Sequence, residues 1–384
     1  MSSCNFGTKT FTIANPSTGK SCNFGTKTFT IAAPGNFNWG LWMHWNELKS
    51  VPRWNMDGDI DWWNTQVGKK QSWIGCGDWL FPTNSDGSPK YTGDPTLAQQ
   101  VTSVMNQVSN AYTIGGIPIL MWSPAQCHHD LVPFSESLFY NTMFTNGTYD
   151  TYFTALAAAM KNDGREVHIR MFHEMNTVGY PGCTMFCPYW SPNYWLNATE
   201  YAKGANGTRI NTSATFKAMW QHIVSIFRNA GATNVKFWFS VGDWINSSYP
   251  ISAYYPGDTY VDYIGFEIYN GRTTTPFDDA THTYGSSTSA VQAIYTVLCA
   301  VSSVRPMVLA EIGCLDGTSD TTAKPAWLTN VLNPTTLKSL FPRLVGLMYW
   351  DDESSDGTWG LRNTVADQTA AINAFKLAGF KNGI

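Results

Sequence analysis

The sequence predicts an α/β fold, a (β/α)8 TIM barrel preceded by a short N-terminal β arm. Short apolar runs alternate with longer amphipathic stretches, the pattern of parallel strands joined by crossover helices. The runs number eight, the count at which such a sheet closes on itself. The 384-residue length is the third indication, because one barrel with long loops fills it.

In chain order, the first 33 residues stand apart. Ser3 to Ala14 reads SCNFGTKTFTIA, and Ser21 to Ala32 repeats it letter for letter across the linker NPSTGK. Lys9, Phe11 and Ile13 alternate with Thr8, Thr10 and Thr12, so each copy reads as a strand, and the linker has the turn chemistry of an antiparallel hairpin. A two-stranded hairpin is marginal alone in water. Residues 1–33 are therefore expected to dock, either on another subunit as a homo-oligomer or filament contact or back on the barrel of residues 34–384. In the hairpin Cys4 and Cys22 lie too far apart to bond to each other.

Strands are then expected at Asn38–Met43, Ser72–Cys76, Ile117–Trp122, Val167–Phe172, Val235–Ser240, Val261–Tyr269, Met307–Glu311 and Leu344–Trp350. Helical periodicity covers Leu97–Ala111, Tyr149–Asn162, Thr215–Ala230 and Ser289–Ser302. Asp163-Gly164 and Ala230-Gly231 close two of these helices, where a residue able to take positive φ is expected.

Composition narrows the chemistry. A net charge of −4 without Lys/Arg runs offers no field for nucleic acid or an anionic membrane, and no stretch approaches a membrane span of about 20 apolar residues. Charged residues make up only 14%, whereas aromatics reach 15% with 17 Trp. Sugar rings present C–H faces that lie well on such rings, although many of these side chains must also fill the core. Eight Cys is an even count that suits disulfides in an oxidising compartment, and no CxxC pair suggests zinc or thioredoxin chemistry. Sequons begin at Asn146, Asn197, Asn206, Asn211 and Asn246, so a secreted, disulfide-bonded glycoprotein is the expectation. No apolar signal-peptide core lies in residues 1–20.

Reactive groups of such barrels sit at the C-terminal ends of strands. The fourth strand runs into R-M-F-H-E-M-N, placing Glu174 at its end, and the seventh runs P-M-V-L-A-E-I-G, placing Glu311 at its end. Two carboxyl groups converging over the axis are what glycoside hydrolysis requires, one to protonate the leaving oxygen and one to attack or to activate water. A retaining enzyme needs them about 5–5.5 Å apart. His128-His129 and Asp130 fit no helical metal spacing, so no metal and no other cofactor is expected.

At these residues the chain resembles glycoside hydrolase family 26, the clan A family of β-mannanases, over nearly all of residues 36–384. The matching motifs are Arg170, His173, Glu174, Met175 and Asn176; Tyr255-Pro256-Gly257-Asp258 with Val261-Asp262, Gly265 and Tyr269-Asn270; and Arg305-Pro306 with Ala310-Glu311-Ile312-Gly313. The resemblance implies Glu174 as acid/base, Glu311 as nucleophile, His173 as a positioner beside Glu174, and Tyr269 as a hydroxyl donor that orients Glu311. Arg170 lies four residues before Glu174, on the same face if the strand stays regular, and reads either as a brace of the cleft floor acting on the nucleophile or as a buried ion pair. Trp190, Trp195 and Trp350 are candidate stacking platforms, with Trp122 a weaker one. The sequence departs from the family pattern after Asn176, where Cys183 and Cys187 are spaced for a small disulfide loop, and at Glu267, where an Asp is common and a third carboxylate faces the barrel interior. The implied activity is retaining endo-hydrolysis of a β-linked polysaccharide, mannan first, with mixed-linkage β-glucan or β-1,3-xylan as alternatives. The competing reading is a barrel-based structural protein that assembles through the duplicated arm.

Overall fold

A computed structural model describes residues 37–43, 57–79, 86–88, 95–123, 142–176, 212–242, 245, 250–270, 290–316, 323–351 and 359–384. The arm of residues 1–33, with Cys4 and Cys22, lies outside the described residues. So do Trp190, Trp195, Cys183, Cys187 and the His128–Asp130 cluster.

Eight parallel strands run in the order β1-β8-β7-β6-β5-β4-β3-β2. They are β1 (Asn38–Met43), β2 (Trp73–Trp79), β3 (Ile117–Ser123), β4 (Val167–Met171), β5 (Val235–Val241), β6 (Tyr263–Asn270), β7 (Met307–Cys314) and β8 (Leu344–Asp351). All eight expected strands are present. Where β1 meets β2, side chains complete the ring: Ser72 Oγ accepts from Trp39 N at 2.8 Å, and Gln71 Oε1 accepts from Leu41 N at 3.0 Å. One backbone bond, Ser72 N to Trp39 O at 3.0 Å, joins them. Gly40 permits this approach, since a Cβ there would sit 2.2 Å from the Trp73 carbonyl oxygen.

The strands alternate with helices α1 (Asp57–Val67), α2 (Leu97–Ile114), α3 (Thr142–Thr145), α4 (Asp150–Asp163), α5 (Ser213–Asn229), α6 (Ile251–Tyr254), α7 (Ala290–Val301), α8 (Ala323–Val331), α9 (Pro334–Leu340) and α10 (Val365–Phe375). Capping explains several boundaries. Thr96 with Gln99 and Thr212 with Thr215 form capping boxes at the starts of α2 and α5, while Gly164 (φ 76°) and Gly231 (φ 79°) follow α4 and α5 as expected. The apolar stripe of α5, Phe216, Met219, Trp220, Ile223, Val224 and Phe227, is buried against the outer face of the sheet.

The barrel interior is a separate, smaller core of Trp42, Trp73, Ile119, Trp238, Val308, Ala310 and Met348. At its N-terminal end Trp73, Trp238 and Tyr263 surround the buried His168, with ring centroids 5.1–5.9 Å from the imidazole. His168 accepts from Trp238 Nε1 at 2.9 Å through Nδ1 and bonds Glu166 at 2.8 Å through Nε2. The site therefore rests on a packed aromatic floor.

Much of the motif sequence turns out to brace this frame. Asp262 accepts from Phe237 N at 2.8 Å and from Arg228 at 2.7 Å, joining the entry of β6 to β5 and α5. Tyr255 donates to Asp258 at 2.7 Å, and the Asp258 carbonyl accepts from Arg305. Cys299 and Cys314 carry free thiols. Among the described residues no helix is long and apolar enough to cross a membrane.

Candidate active site

Two irregularities at strand ends turn three carboxyl groups toward one point. β4 does not stay regular to Glu174, as the simple face argument for Arg170 and Glu174 requires. It ends at Met171, and both Phe172 (φ 53°) and Glu174 (φ 55°) adopt the left-handed region. Neither residue type favours it, at a cost on the order of 1–3 kcal/mol each, so the surroundings must impose it. Phe172 N donates to Trp122 O at 3.3 Å and Glu174 N to Ser240 O at 3.2 Å, tying the segment to β3 and β5. Asn176 completes the clamp, donating to Gly242 O at 2.9 Å and accepting from Gly242 N at 2.8 Å.

On β7 the device is a bulge. Phe266 pairs with Leu309, but Glu267 pairs with Glu311, leaving Ala310 as the extra residue. Val308 and Ala310 pack in the barrel interior, whereas Leu309 and Ile312 pack on the outer face. Were Ala310 held in regular register, strict alternation would turn Glu311 outward with Leu309. The bulge re-aims it inward, beside Glu267. Trp42, buried on β1, donates from Nε1 to the Ala310 carbonyl at 2.7 Å and so holds the bulge.

Arg170, fully buried, sits under all of this. Its Nη1 donates to Glu311 Oε1, its Nη2 to Glu267 Oε1, and its Nε to Ser240 Oγ at 3.1 Å. The Trp42 ring lies 5.5 Å from the guanidinium carbon. Burial works against the charge, but Glu311 and Glu267 outweigh it and hold the guanidinium's pKa above its ordinary value. Arg170 is thus a buried ion-pair centre that joins β4 to β5, β6 and β7.

Tyr269 donates its hydroxyl to Glu311 Oε2, and burial together with Glu311 keeps that hydroxyl's pKa well above the ordinary phenol value. Gly313 makes room for it: a Cβ there would lie 2.9 Å from the Tyr269 ring. That is the physical content of the glycine in A-E-I-G. One oxygen from each of Glu174, Glu267 and Glu311 lies within 4.8 Å of the others. Such a trio could hold a cation, and Arg170 already supplies one. Glu174 and His173 keep partial exposure, although the His173 Nδ1 atom is shut from solvent. Burial and the Arg170 charge push the His173 pKa well down, so the ring is neutral at neutral pH.

Trp350, partly buried at the end of β8, packs on the interior core beside Trp42. Trp122 is a correction. It is fully buried on the outer face of β3 among Tyr152, Phe153 and Phe227, with centroids 5.7–6.4 Å apart, and it cannot meet a ligand above the barrel. Sequence reasoning missed Ser240, Trp42 and the clamp made by Asn176. Only Asn176 carried a signal, its place in the H-E-M-N motif.

Strand-end carboxylates thus lie over a buried arginine inside an eight-stranded parallel barrel. No protein-family model matches the chain. Endoglucanase H of Acetivibrio thermocellus is 28% identical over 273 residues, 71% of this chain and 25% of that protein, so the chain spans about a quarter of this curated relative's length. Among solved structures, a family 26 β-mannanase from Bacteroides ovatus shares the fold with a TM-score of 0.54 at 14% identity, covering 91% of each chain. A mannanase of Bacillus subtilis gives 0.53 at 17% identity, covering 91% of this chain and 88% of that one. A β-mannanase from a symbiotic protist of the termite Reticulitermes speratus, complexed with a gluco-manno-oligosaccharide, gives 0.51 at 16%, with 89% and 86% covered. At these identities the likeness is one of fold, and the fold is that of the family 26 β-mannanases.

Proposed function

We propose that this chain is a retaining endo-β-glycosidase acting on a β-linked polysaccharide by double displacement. The observation that carries the reading is the convergence of Glu174 and Glu311, which present oxygens within 4.8 Å of each other above a buried arginine. That approach suits the spacing of about 5–5.5 Å between carboxyl groups in retaining enzymes. In the first step Glu174 gives its proton to the glycosidic oxygen while Glu311 attacks the anomeric carbon, and the C–O bond breaks to leave a glycosyl ester. In the second, Glu174 takes a proton from water, whose oxygen displaces Glu311. Arg170 and Tyr269 each hold one oxygen of Glu311, fixing the line of attack. His173, being neutral, leaves the charge beside Glu174 unaltered.

Mannan is the first substrate, on the strength of the mannanase neighbours. Mixed-linkage β-glucan and β-1,3-xylan are the alternatives, and the endoglucanase relative favours testing the glucan next. Trp350 offers an aromatic platform at the cleft, and Trp190 and Trp195 are assigned the same role from sequence. The site of action is extracellular, which the sequons and the even cysteine count support. A panel of purified β-glycans with product sizing tests the substrate, and NMR of the anomer first released tests retention. If no β-glycan is cut, the reading fails.

A further inference from the structure

Three carboxyl groups share one cation here, and the partners are unevenly distributed. Arg170 commits one terminal nitrogen to Glu311 and the other to Glu267, and Tyr269 supplies the second oxygen of Glu311. Glu267 Oε1 also accepts from Ser240 Oγ at 3.2 Å. Its other oxygen is buried, and no N–H or hydroxyl of the described residues donates to it, while the carboxyl groups of Glu267 and Glu174 present oxygens within 4.8 Å of each other and interact as a hydrogen-bonded pair. Two carboxyl groups can bond only if one of them carries a proton. An ionised oxygen in that position would be desolvated and uncompensated.

We propose that Glu267 stays protonated throughout the reaction and is the positioning residue that donates a hydrogen bond to Glu174. The inference rests on the roles given above to Glu174 and Glu311. The charged and titratable groups facing Glu267 are Arg170 and Glu174 from β4 and its end, Glu311 from β7 and Tyr269 from its own strand; Ser240 on β5 is uncharged. Burial and the two neighbouring acids push its pKa well up, against the pull of Arg170. A neutral Glu267 also balances the charges. Before the first step the Arg170 cation faces one carboxylate, Glu311. After it Glu311 is an ester, Glu174 has lost its proton to the leaving group, and the cation faces Glu174 instead. The pocket is neutral in both states, and the proton on Glu267 is never consumed. With its acceptor oxygen engaged by Glu267, Glu174 keeps its own proton turned to the glycosidic oxygen. In the second step the same bond steadies the Glu174 carboxylate as it takes a proton from water.

Glu267→Gln tests this, because an amide reproduces the protonated acid: its oxygen accepts from Arg170 and Ser240, and its NH2 donates to Glu174. Urea unfolding of wild type and E267Q between pH 5 and 8 reads the protonation without any substrate. If Glu267 is neutral in the fold and ionised in the unfolded chain, the wild-type unfolding constant rises relative to that of E267Q by up to about tenfold per pH unit. A gap independent of pH overturns the proposal. The pH profile of aryl β-glycoside hydrolysis reads the role: E267Q should leave the basic limb in place, whereas a limb moved down by about one unit or more means that Glu267 was charged, and overturns it. Should E267Q not fold, infrared titration of the wild type decides, a protonated-carboxyl band persisting at pH 8 supporting the proposal and its absence at that pH refuting it. If the wild type cleaves no aryl β-glycoside, the proposed function fails, while the unfolding series still reports the protonation state of Glu267.

Discussion

At the scale of single residues, the two glutamates differ in what their loss should cost. An acid is dispensable when the leaving group is already good, so Glu174→Ala should keep measurable turnover of an activated aryl glycoside and recover further with azide. Glu311→Ala should lose on the order of 10⁴-fold or more on any substrate. Equal losses on activated and natural substrates would show the roles to be misassigned. Tyr269→Phe removes one of the two donors that Glu311 receives, and kcat should fall about 10²-fold with KM little changed. Steady-state kinetics checks it, and a change confined to KM would mean that Tyr269 binds substrate and leaves the nucleophile alone. The pair Glu174 and Glu311 was legible in the sequence because strand-end position and motif coincide there. The convergence of Arg170 on Glu267 and Glu311 was not, because it depends on which way two irregular strand ends turn.

At the scale of elements, eight strands could be located because each is an apolar run bounded by polar loops. Their ends were harder: β2 continues to Trp79 and β7 to Cys314, past the apolar stretch, since the neighbouring strand still offers a ladder. Helix α1, with Gly58 and a largely polar sequence, and α8, with Pro325 in its first turn, lack the periodicity that revealed α2, α4 and α5. Phase was the deeper difficulty. In a parallel barrel both faces of a strand are apolar, so nothing in I-P-I-L-M-W-S says that Ile119 points in and Trp122 out. Two substitutions separate the faces. Trp122→Ala should cost about 3–5 kcal/mol in urea unfolding and leave KM unchanged, whereas Trp350→Ala should raise KM about tenfold at a smaller cost in stability. The bulge at Ala310 was likewise invisible, because a register slip depends on the partner strand. Inserting one alanine after Ala310 should abolish activity by shifting Glu311 to the outer face. Retained activity in the insertion would refute the re-aiming.

At the scale of the whole molecule, two buried groups bend stability in opposite directions with pH. Burial lowers the His168 pKa below its ordinary value of about 6.5, against the raising influence of Glu166. A depressed folded pKa contributes stability above about pH 6.5 that is lost as the pH falls, at up to about 1.4 kcal/mol per unit. Glu267, displaced upward, contributes stability that is lost as the pH rises above the ordinary range of a glutamate. Urea midpoints should therefore level off between about pH 4.5 and 6.5, where the two slopes oppose, and fall above that window, and His168→Gln should make stability rise as the pH falls from 6.5 to 5; an unchanged slope would mean that His168 is charged in the fold. The ring itself has a weak joint. Between β1 and β2 the cross-links are largely Ser72 and Gln71 side chains, and a barrel is only as stiff as the stave that can lift. The stave beside that joint, β1, carries Trp42, whose indole pins the carbonyl on which the aim of Glu311 depends. A hydroxyl at the foot of the barrel is thus geared, through one tryptophan, to the nucleophile at its mouth.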